Sequence, residues 1–430
     1  MRALLPLFRL TALIAVTAHA EPRFRPVTID DQIQIGYGLA IADVDGDGLP
    51  DILLADRKQF VWYRNPGSER ANHATAWSKF LIAENLTEKD NVCIAAQDLD
   101  GDGKCEVAVG AEWNPADTEN SGAVFYLIPP ADRTQPWQPV KFSAVEPTTH
   151  RMKWLRLGDG NGTAAWGLVV VPLHGRGNRN GEGAPVKVLV YHPPAQINDP
   201  NGEWKPEILS EDLHATHNFE LLRRAGISRG QILIAGREGV LAAQLEGATR
   251  GLAWRFTNPQ MAAKLSGRAA KVAPPPTEGC RGAGEVREGT LPDGHGFIAT
   301  VEPMHGNDLA IYRTAPVSAP KAGGIVRIRL TSKLTEGHAL ACGDLLGTGS
   351  DQIIVGWRGK PGASDSTIGV ALWAPEDTDG TEWEQTVIDA WGMACEDLQL
   401  ADLNGDGKLD IVAAGRATKN VKIYFNATPR

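Results

Sequence analysis

Asp43-Val-Asp45-Gly-Asp47-Gly-Leu-Pro-Asp51, followed directly by Ile52-Leu-Leu-Ala55, is the stretch on which the architecture turns. It places carboxylates on alternate residues, two glycines for a tight bend and a fourth acid at the ninth position, between two short apolar segments. The motif recurs. Asp98-Leu-Asp100-Gly-Asp102-Gly-Lys-Cys-Glu106 precedes Val107-Ala-Val-Gly110, and Asp402-Leu-Asn404-Gly-Asp406-Gly-Lys-Leu-Asp410 precedes Ile411-Val-Ala-Ala414. Weaker copies stand at Asp344–Asp351 and Gly158–Gly162, and a degenerate one at Gly226–Gly230. Asp43 and Asp402 lie 359 residues apart, six intervals of about 60. The double gap between Arg224 and Asp344 requires one more copy, and Leu291-Pro-Asp293-Gly-His-Gly296 supplies it. Seven repeats result.

Each repeat reads as an apolar strand, the Asp/Gly turn, a second apolar strand, a polar loop and a third strand such as Phe60–Tyr63, Val188–Tyr191, Leu309–Tyr312 or Val421–Tyr424. A fourth strand opens near Trp77, Trp137, Trp204 and Trp383. Four short strands per period, punctuated by Gly, Asp and Pro, predict an all-β, seven-bladed β-propeller of four-stranded blades. After the last turn only two strands remain, so Phe24–Ile29 is predicted to supply the missing outer strand and to close the ring by pairing the two chain ends.

The first twenty residues stand apart. Arg2 and Arg9 flank or precede the apolar run Leu10–Val16, and Ala18-His-Ala20 offers small residues for cleavage. This predicts a signal peptide over 1–20, a propeller over 21–430 and a periplasmic or secreted location. No stretch is long and apolar enough to suggest a membrane span. The net charge of −9 gives no basic face for nucleic acid. The five cysteines match no disulfide or zinc framework and read as small core residues. Oligomeric state is not legible.

Oxygens at positions 1, 3 and 5 plus a later carboxylate are what a hard cation needs from one turn. The three best copies meet that pattern. Asp43, Asp45, Asp47 and Asp51, then Asp98, Asp100, Asp102 and Glu106, then Asp402, Asn404, Asp406 and Asp410, are predicted to bind Ca2+. The Asp344 turn has Leu346 and Gln352 where ligands are needed and is a poor candidate.

If these turns join strands one and two of each blade, the start of strand one and the loop after strand two lie on the opposite rim. His150, His217 and His338 fall in the first class, with Tyr37, Asn91 and Glu396 in other blades; His174 and His305 fall in the second, near Arg57, Glu112, Arg237, Arg358 and Arg416. Imidazoles converging from several blades suit a transition metal, most often zinc. A hydrated polar channel mouth is the alternative. His214 and His217 differ by an odd number, so only one of them points inward in an extended chain, and His217 is preferred.

The turns resemble the FG-GAP/VCBS repeat, which implies a calcium-binding propeller. Ile35-Gly-Tyr37-Gly-Leu39, His150-Arg-Met-Lys153, His214-Ala-Thr-His217, Ala235-Gly-Arg237-Glu-Gly-Val240, His305-Gly-Asn307 and His338 resemble, in order, the propeller of the aldos-2-ulose dehydratase (1,5-anhydro-D-fructose dehydratase) family. That resemblance implies metal-assisted removal of water from a 2- or 3-keto-sugar or an anhydrofructose, a small carbohydrate substrate. The family's cupin domains have no counterpart here, so only the dehydration step carries over. The expected division of labour gives the rim metal, zinc or another divalent ion, to His150, His217 and His305. The base is His338, and Tyr37, Lys153 or Arg237 orients the sugar or assists the leaving group. Trp154, Trp357 and Trp391 are candidate stacking platforms. The rival classes are a non-catalytic calcium-binding propeller that recognises carbohydrate or protein, and a metal-dependent polysaccharide lyase.

Overall fold

In the computed structural model the described residues are 21–157, 165–222, 231–244, 252–257, 277–314 and 324–429. They form seven antiparallel sheets of four strands. The leader at 1–20 and the turns at 158–162 and 226–230 lie outside the described residues. In the first blade β2 (Gly38–Ala42), β3 (Asp51–Ala55), β4 (Gln59–Arg64) and β5 (Ser78–Glu84) pair in chain order. The same order holds through β22 (Gly337–Gly343), β23 (Gln352–Trp357), β24 (Gly369–Pro375) and β25 (Trp383–Ala390). The hidden copy at Leu291–Gly296 joins β18 (Glu285–Thr290) to β19 (Gly296–Glu302), as the period requires. Among the described residues no helix is long and apolar enough to cross a membrane.

The ring closes between the chain ends. β1 (Phe24–Asp30) pairs antiparallel with β28 (Val421–Asn426), and the seventh sheet runs β1, β28, β27 (Asp410–Gly415) and β26 (Cys395–Ala401). The register from Phe24 against Asn426 turns Val27 inward to pack with Ile423 and Phe425. Deleting residues 21–31 is expected to expose β28 as a bare edge and unsettle the seventh blade. A melt shifted down by several degrees, with larger species than the full-length protein by size-exclusion chromatography, is the expected result; an unchanged melt and elution profile would exclude β1 as the closing element.

Apolar side chains fill the spaces between neighbouring sheets, so the core is seven interblade layers rather than one centre. One layer joins Val44, Leu53 and Trp62 of the first blade to Val107, Val109 and Phe125 of the second; another joins Val412 and Ile423 of the seventh to Ile52 and Leu54 of the first. The axis is left to the innermost strands, which enclose a cavity of about 570 Å³ touched by residues of all seven blades, among them Gly38, Cys93, Arg151, Asn218, Arg287, Leu340 and Asp397. Strand polarity follows from this wheel. Each innermost strand starts at one rim and ends in its Asp/Gly turn at the other, which fixes two faces about 20 Å apart. Cys93, Cys105, Cys280 and Cys395 are buried thiols and Cys342 is half-buried; none forms a disulfide.

Candidate active site at the histidine rim

The histidines reach the axis through a repeated backbone irregularity. β10 (Thr149–Leu157) loses ladder register between Thr149 and Arg151, β14 (Thr216–Leu221) between Thr216 and Phe219, β22 between Gly337 and Ala339, and β26 between Cys395 and Asp397. Each shift is a bulge at the start of an innermost strand. It releases His150, His217, His338 and Glu396 from the alternation of an ideal strand, as bulges near functional sites commonly do.

A second regularity orients the rings. His150 Nδ1 lies 2.8 Å from the carbonyl oxygen of His217, His217 Nδ1 lies 3.1 Å from that of Gly284, and His338 Nδ1 lies 2.6 Å from that of Glu396. Each ring is thus tethered to the next blade. A carbonyl can only accept, so Nδ1 carries the proton in all three rings and Nε2 is left with a lone pair. His217 Nδ1 also meets Glu285 Oε1 at 3.1 Å, the outer-shell carboxylate that commonly orients a metal-ligating imidazole.

His305 enters from the loop after β19 with φ of 49°, a conformation uncommon outside glycine. Its Nε2 lies 2.8 Å from His217 Nε2, and its ring stacks on His338 with centroids 4.9 Å apart. His217, His305 and His338 thereby offer three nitrogens mutually within 4.8 Å. Two ring nitrogens at 2.8 Å need either a proton or a cation between them. A tetrahedral ion with bonds of about 2.0–2.1 Å would hold them roughly 3.3 Å apart, a small movement. The residues fit a zinc-like ion.

This grouping departs from the expected one. Both nitrogens of His150 are engaged, Nδ1 by the His217 carbonyl and Nε2 by Arg151 Nη1 at 3.1 Å, so no lone pair remains for an ion. His338, expected as base, takes its place in the trio and is 3 % exposed. Burial, followed by neighbouring guanidinium and imidazole groups, lowers the pKa of all four rings, so they are neutral at pH 7.

Charged groups surround the trio in two shells. On the rim side Arg358 contacts Glu336 and Glu396 and approaches His305 Nδ1 at 3.5 Å, while Arg416 binds Glu396 at 2.9 Å. Glu396 Oε1 stands 3.9 Å from His338 Nε2. Toward the channel Arg287 Nη2 lies 3.4 Å from Glu285 Oε2. Tyr37 donates to Asp90 at 3.1 Å and lies beneath the Arg416 guanidinium. Burial pushes its phenol up to about 12, so it stays protonated and can donate.

Lys153 and Arg237 do not join this assembly. Lys153 faces the axial cavity, bonded to Glu220 Oε2 at 2.8 Å and the Phe219 carbonyl at 3.0 Å. Arg237 is tied to the Asn180 carbonyl and to Glu182 over the third and fourth blades. His214 pairs with Glu238 at 2.9 Å, leaving the trio to His217. His174 stays in its loop, where its backbone N–H donates to Thr148 Oγ1 and its carbonyl accepts from the same hydroxyl. Trp154 and Trp357 are buried, whereas Trp391 is exposed at the rim.

Glycine spacing controls the loop that carries His305. A Cβ on Gly306 would collide with the Glu302 carbonyl. Gly306→Ala is therefore expected to displace His305 and, if the trio takes up added zinc, to weaken that uptake at least tenfold while the far-ultraviolet spectrum stays that of the wild type. Equal metal content in the two proteins would show that the loop adapts without moving the ligand.

At the opposite rim the acidic turns share one geometry. Gly46 and Gly48 donate to the two oxygens of Asp43 at 2.7 Å each, and Gly405 and Gly407 repeat this on Asp402. The ninth-position acid is buried and accepts backbone N–H groups, Asp51 from Val44 and Asn65, Asp410 from Leu403 and Asn426. Asp43, Asp45 and Asp51, and likewise Asp98, Asp100 and Glu106, bring oxygens within 4.8 Å. Burial, reinforced by adjoining carboxylates, raises Asp51 and Glu106 to about 7 and Asp410 to about 6. Arg64 stands 2.6 Å from Asp45, partly offsetting the charge of the first turn. In the Asp344 turn Gln352 Oε1 accepts from Leu346, so a neutral amide performs the backbone-binding task there.

Arg151, Glu285 and Trp113, whose ring lies 5.0 Å from that of His150, are site residues that spacing did not single out. Aligning the starts of innermost strands would have placed Glu285 beside His217; the degenerate fourth turn obscured that register.

Comparison with known proteins agrees with the resemblance seen in the motifs. A family model described as the aldos-2-ulose dehydratase β-propeller domain matches residues 121–315, a span holding His150, His217 and His305, and one described as an FG-GAP-like repeat matches residues 43–109. Aldos-2-ulose dehydratase of Phanerodontia chrysosporium is 23% identical over 378 residues, 82% of this chain and 37% of the relative, so the chain spans little more than a third of that protein's length. Among solved structures, BBS1N in complex with ARL6DN, soaked with lead, aligns with 12% identity and a TM-score of 0.49, covering 96% of this chain and 98% of that one. Its mercury-soaked counterpart has the same identity and a TM-score of 0.48, covering 94% and 96%.

Proposed function

We propose that this protein is an exported keto-sugar dehydratase that eliminates water next to a carbonyl at the histidine rim. The observation that carries the proposal is the trio itself: three neutral imidazoles from blades four, five and six, His217 and His338 buried with Nδ1 committed to backbone acceptors and His305 half-buried against both. A structural polar plug has no need to gather three imidazoles whose nitrogens converge within reach of one ion. His217, His305 and His338 would hold a zinc-like ion, and a bound ion there supplies Lewis-acid polarisation of a substrate carbonyl.

The elimination breaks an α C–H bond and a β C–O bond, forms a C=C bond and releases water, without net oxidation. The chain's own groups can serve each proton. Glu396, between His338 and the guanidinium groups of Arg358 and Arg416, is assigned the α-proton. Tyr37, protonated and held by Asp90, is assigned delivery of a proton to the departing hydroxyl. Arg358 and Arg416 then orient the substrate. The acidic turns at the other rim bind calcium in this proposal and stiffen the strand connections.

Purified protein incubated with 1,5-anhydrofructose and with 2- and 3-keto-glucosides should generate an absorbing enone in a zinc-dependent, chelator-sensitive manner. No enone from any of them would leave the recognition propeller as the better description.

A further inference from the structure

We infer that the rim cavity between the first, sixth and seventh blades is a subsite for an acidic saccharide, with the exposed Trp391 on an adjoining loop as a stacking platform. This rests on the keto-sugar reading and deepens it by naming a substrate class: a keto-sugar that carries an anionic group or is linked to a sugar that does.

The cavity has a volume of about 590 Å³, room for one or two sugar rings, and is lined by Arg57, Arg358, Arg416 and Lys419, with Glu336 on its wall. Four cations in one cavity are unexpected in a chain of net charge −9. Asp90 and Glu396 offset part of this charge from behind, through Arg57 at 3.2 Å and through Arg358 and Arg416. Including Glu336, the balance is four cations against three carboxylates. Lys419 has no ion-pair partner among the described residues, and about half of the Arg57 side chain is exposed. An incoming carboxylate or sulfate would complete the set, and the planar guanidinium forks suit such groups.

Trp391 gives the second, independent indication. It is 64% exposed and sits at φ of 77°, costly for a large side chain, so the loop presents the indole to solvent rather than packing it. Its backbone N–H donates to Ile368, which lies against Gly359 of the cavity wall. On its other side Asn420 Nδ2 donates to Gly392, and Ala394 donates to Thr418 Oγ1, tying the Trp391 loop to the segment that carries Arg416 and Lys419. A flat apolar face beside a cationic cavity suits a sugar ring stacked on one side and held by its charge on the other. The cavity adjoins the trio through Arg358, which touches both.

Calorimetric titration with digalacturonate, a sulfated disaccharide and neutral cellobiose tests this, with Trp fluorescence as a second readout. An acidic saccharide is expected to bind about tenfold more tightly than cellobiose and to weaken with salt. A preference for the carboxylated or the sulfated ligand identifies the group. Lys419→Glu and Trp391→Ala should each reduce that affinity about tenfold at an unchanged melting temperature, and Trp391→Ala should remove the fluorescence response. Equal affinity for acidic and neutral ligands, no binding of any ligand, or full affinity in both variants would overturn the subsite. Wild-type turnover of neutral keto-glucosides, measured separately, reports on the dehydratase reading alone.

Discussion

Chelation of calcium is expected to lower the melting temperature by on the order of 10 °C. Three turns place several carboxylates within one bend, and in each the ninth-position acid is buried against backbone N–H groups. Without a cation these charges repel one another where water screens them poorly. Extracellular calcium modules bind with dissociation constants of about 10⁻⁴ M, so at that affinity 10 mM calcium would stabilise each site by about 2.7 kcal/mol. Three sites give roughly 8 kcal/mol, and for a chain of this size that corresponds to about 10 °C. Differential scanning calorimetry with calcium and with chelator measures it. Asp51→Asn and Asp410→Asn should each remove about a third of the difference; a curve indifferent to calcium would leave the turns as ion-free bends.

The same carboxylates set the pH dependence. Asp51, Glu106 and Asp410 are raised in the fold relative to the unfolded chain. A raised acid binds its proton more tightly when folded, so its stabilising contribution is present at low pH and lost as pH rises through about 6–7. A bound calcium ion would cancel that loss by pairing with the ionised form. The chelator-induced drop should therefore be larger at pH 8 than at pH 5.5. Because the two measurements are compared with and without calcium at each pH, the histidines, which lose stability in the opposite direction on acidification below about 6.5, largely drop out.

Most of the wheel was legible because it is periodic. The Asp43 turn and its copies set the blade count, Val421–Tyr424 set the third strand, and the shortage of strands after Asp410 pointed to Phe24–Ile29 as the closing partner. Which rim carries the histidines was legible for the same reason. The assignment of roles was not, because it depends on departures from periodicity. A bulge at residue 150 or 338 leaves no mark in composition, yet it decides where the ring points. His150 and His338 look alike by spacing; only Arg151 beside one and Glu396 beside the other separate them. Lys153 reads as a rim residue by proximity to His150, but three residues along a strand carry it about 10 Å toward the channel, where Glu220 receives it.

Replacing His217 by alanine should be the most damaging single change to the proposed chemistry. His217 is the hub of the rim: its Nε2 meets His305, its Nδ1 meets Glu285, its carbonyl receives His150, and its ring lies 4.5–4.9 Å from three other imidazoles. Truncation removes a ligand and leaves Glu285 as a buried carboxylate without its imidazole partner, although Arg287 and Asn218 still contact it. Loss of one of three protein ligands is expected to reduce metal retention by about a hundredfold or more, and turnover by about a thousandfold, since Lewis-acid stabilisation is worth several kcal/mol. Metal content by atomic emission and enone formation should fall together. His150→Ala distinguishes hub from neighbour: with both nitrogens engaged elsewhere it should keep the metal and lose at most tenfold in rate. If His150→Ala empties the site while His338→Ala does not, the ion belongs to the set first expected from spacing, and the trio is a hydrogen-bonded plug.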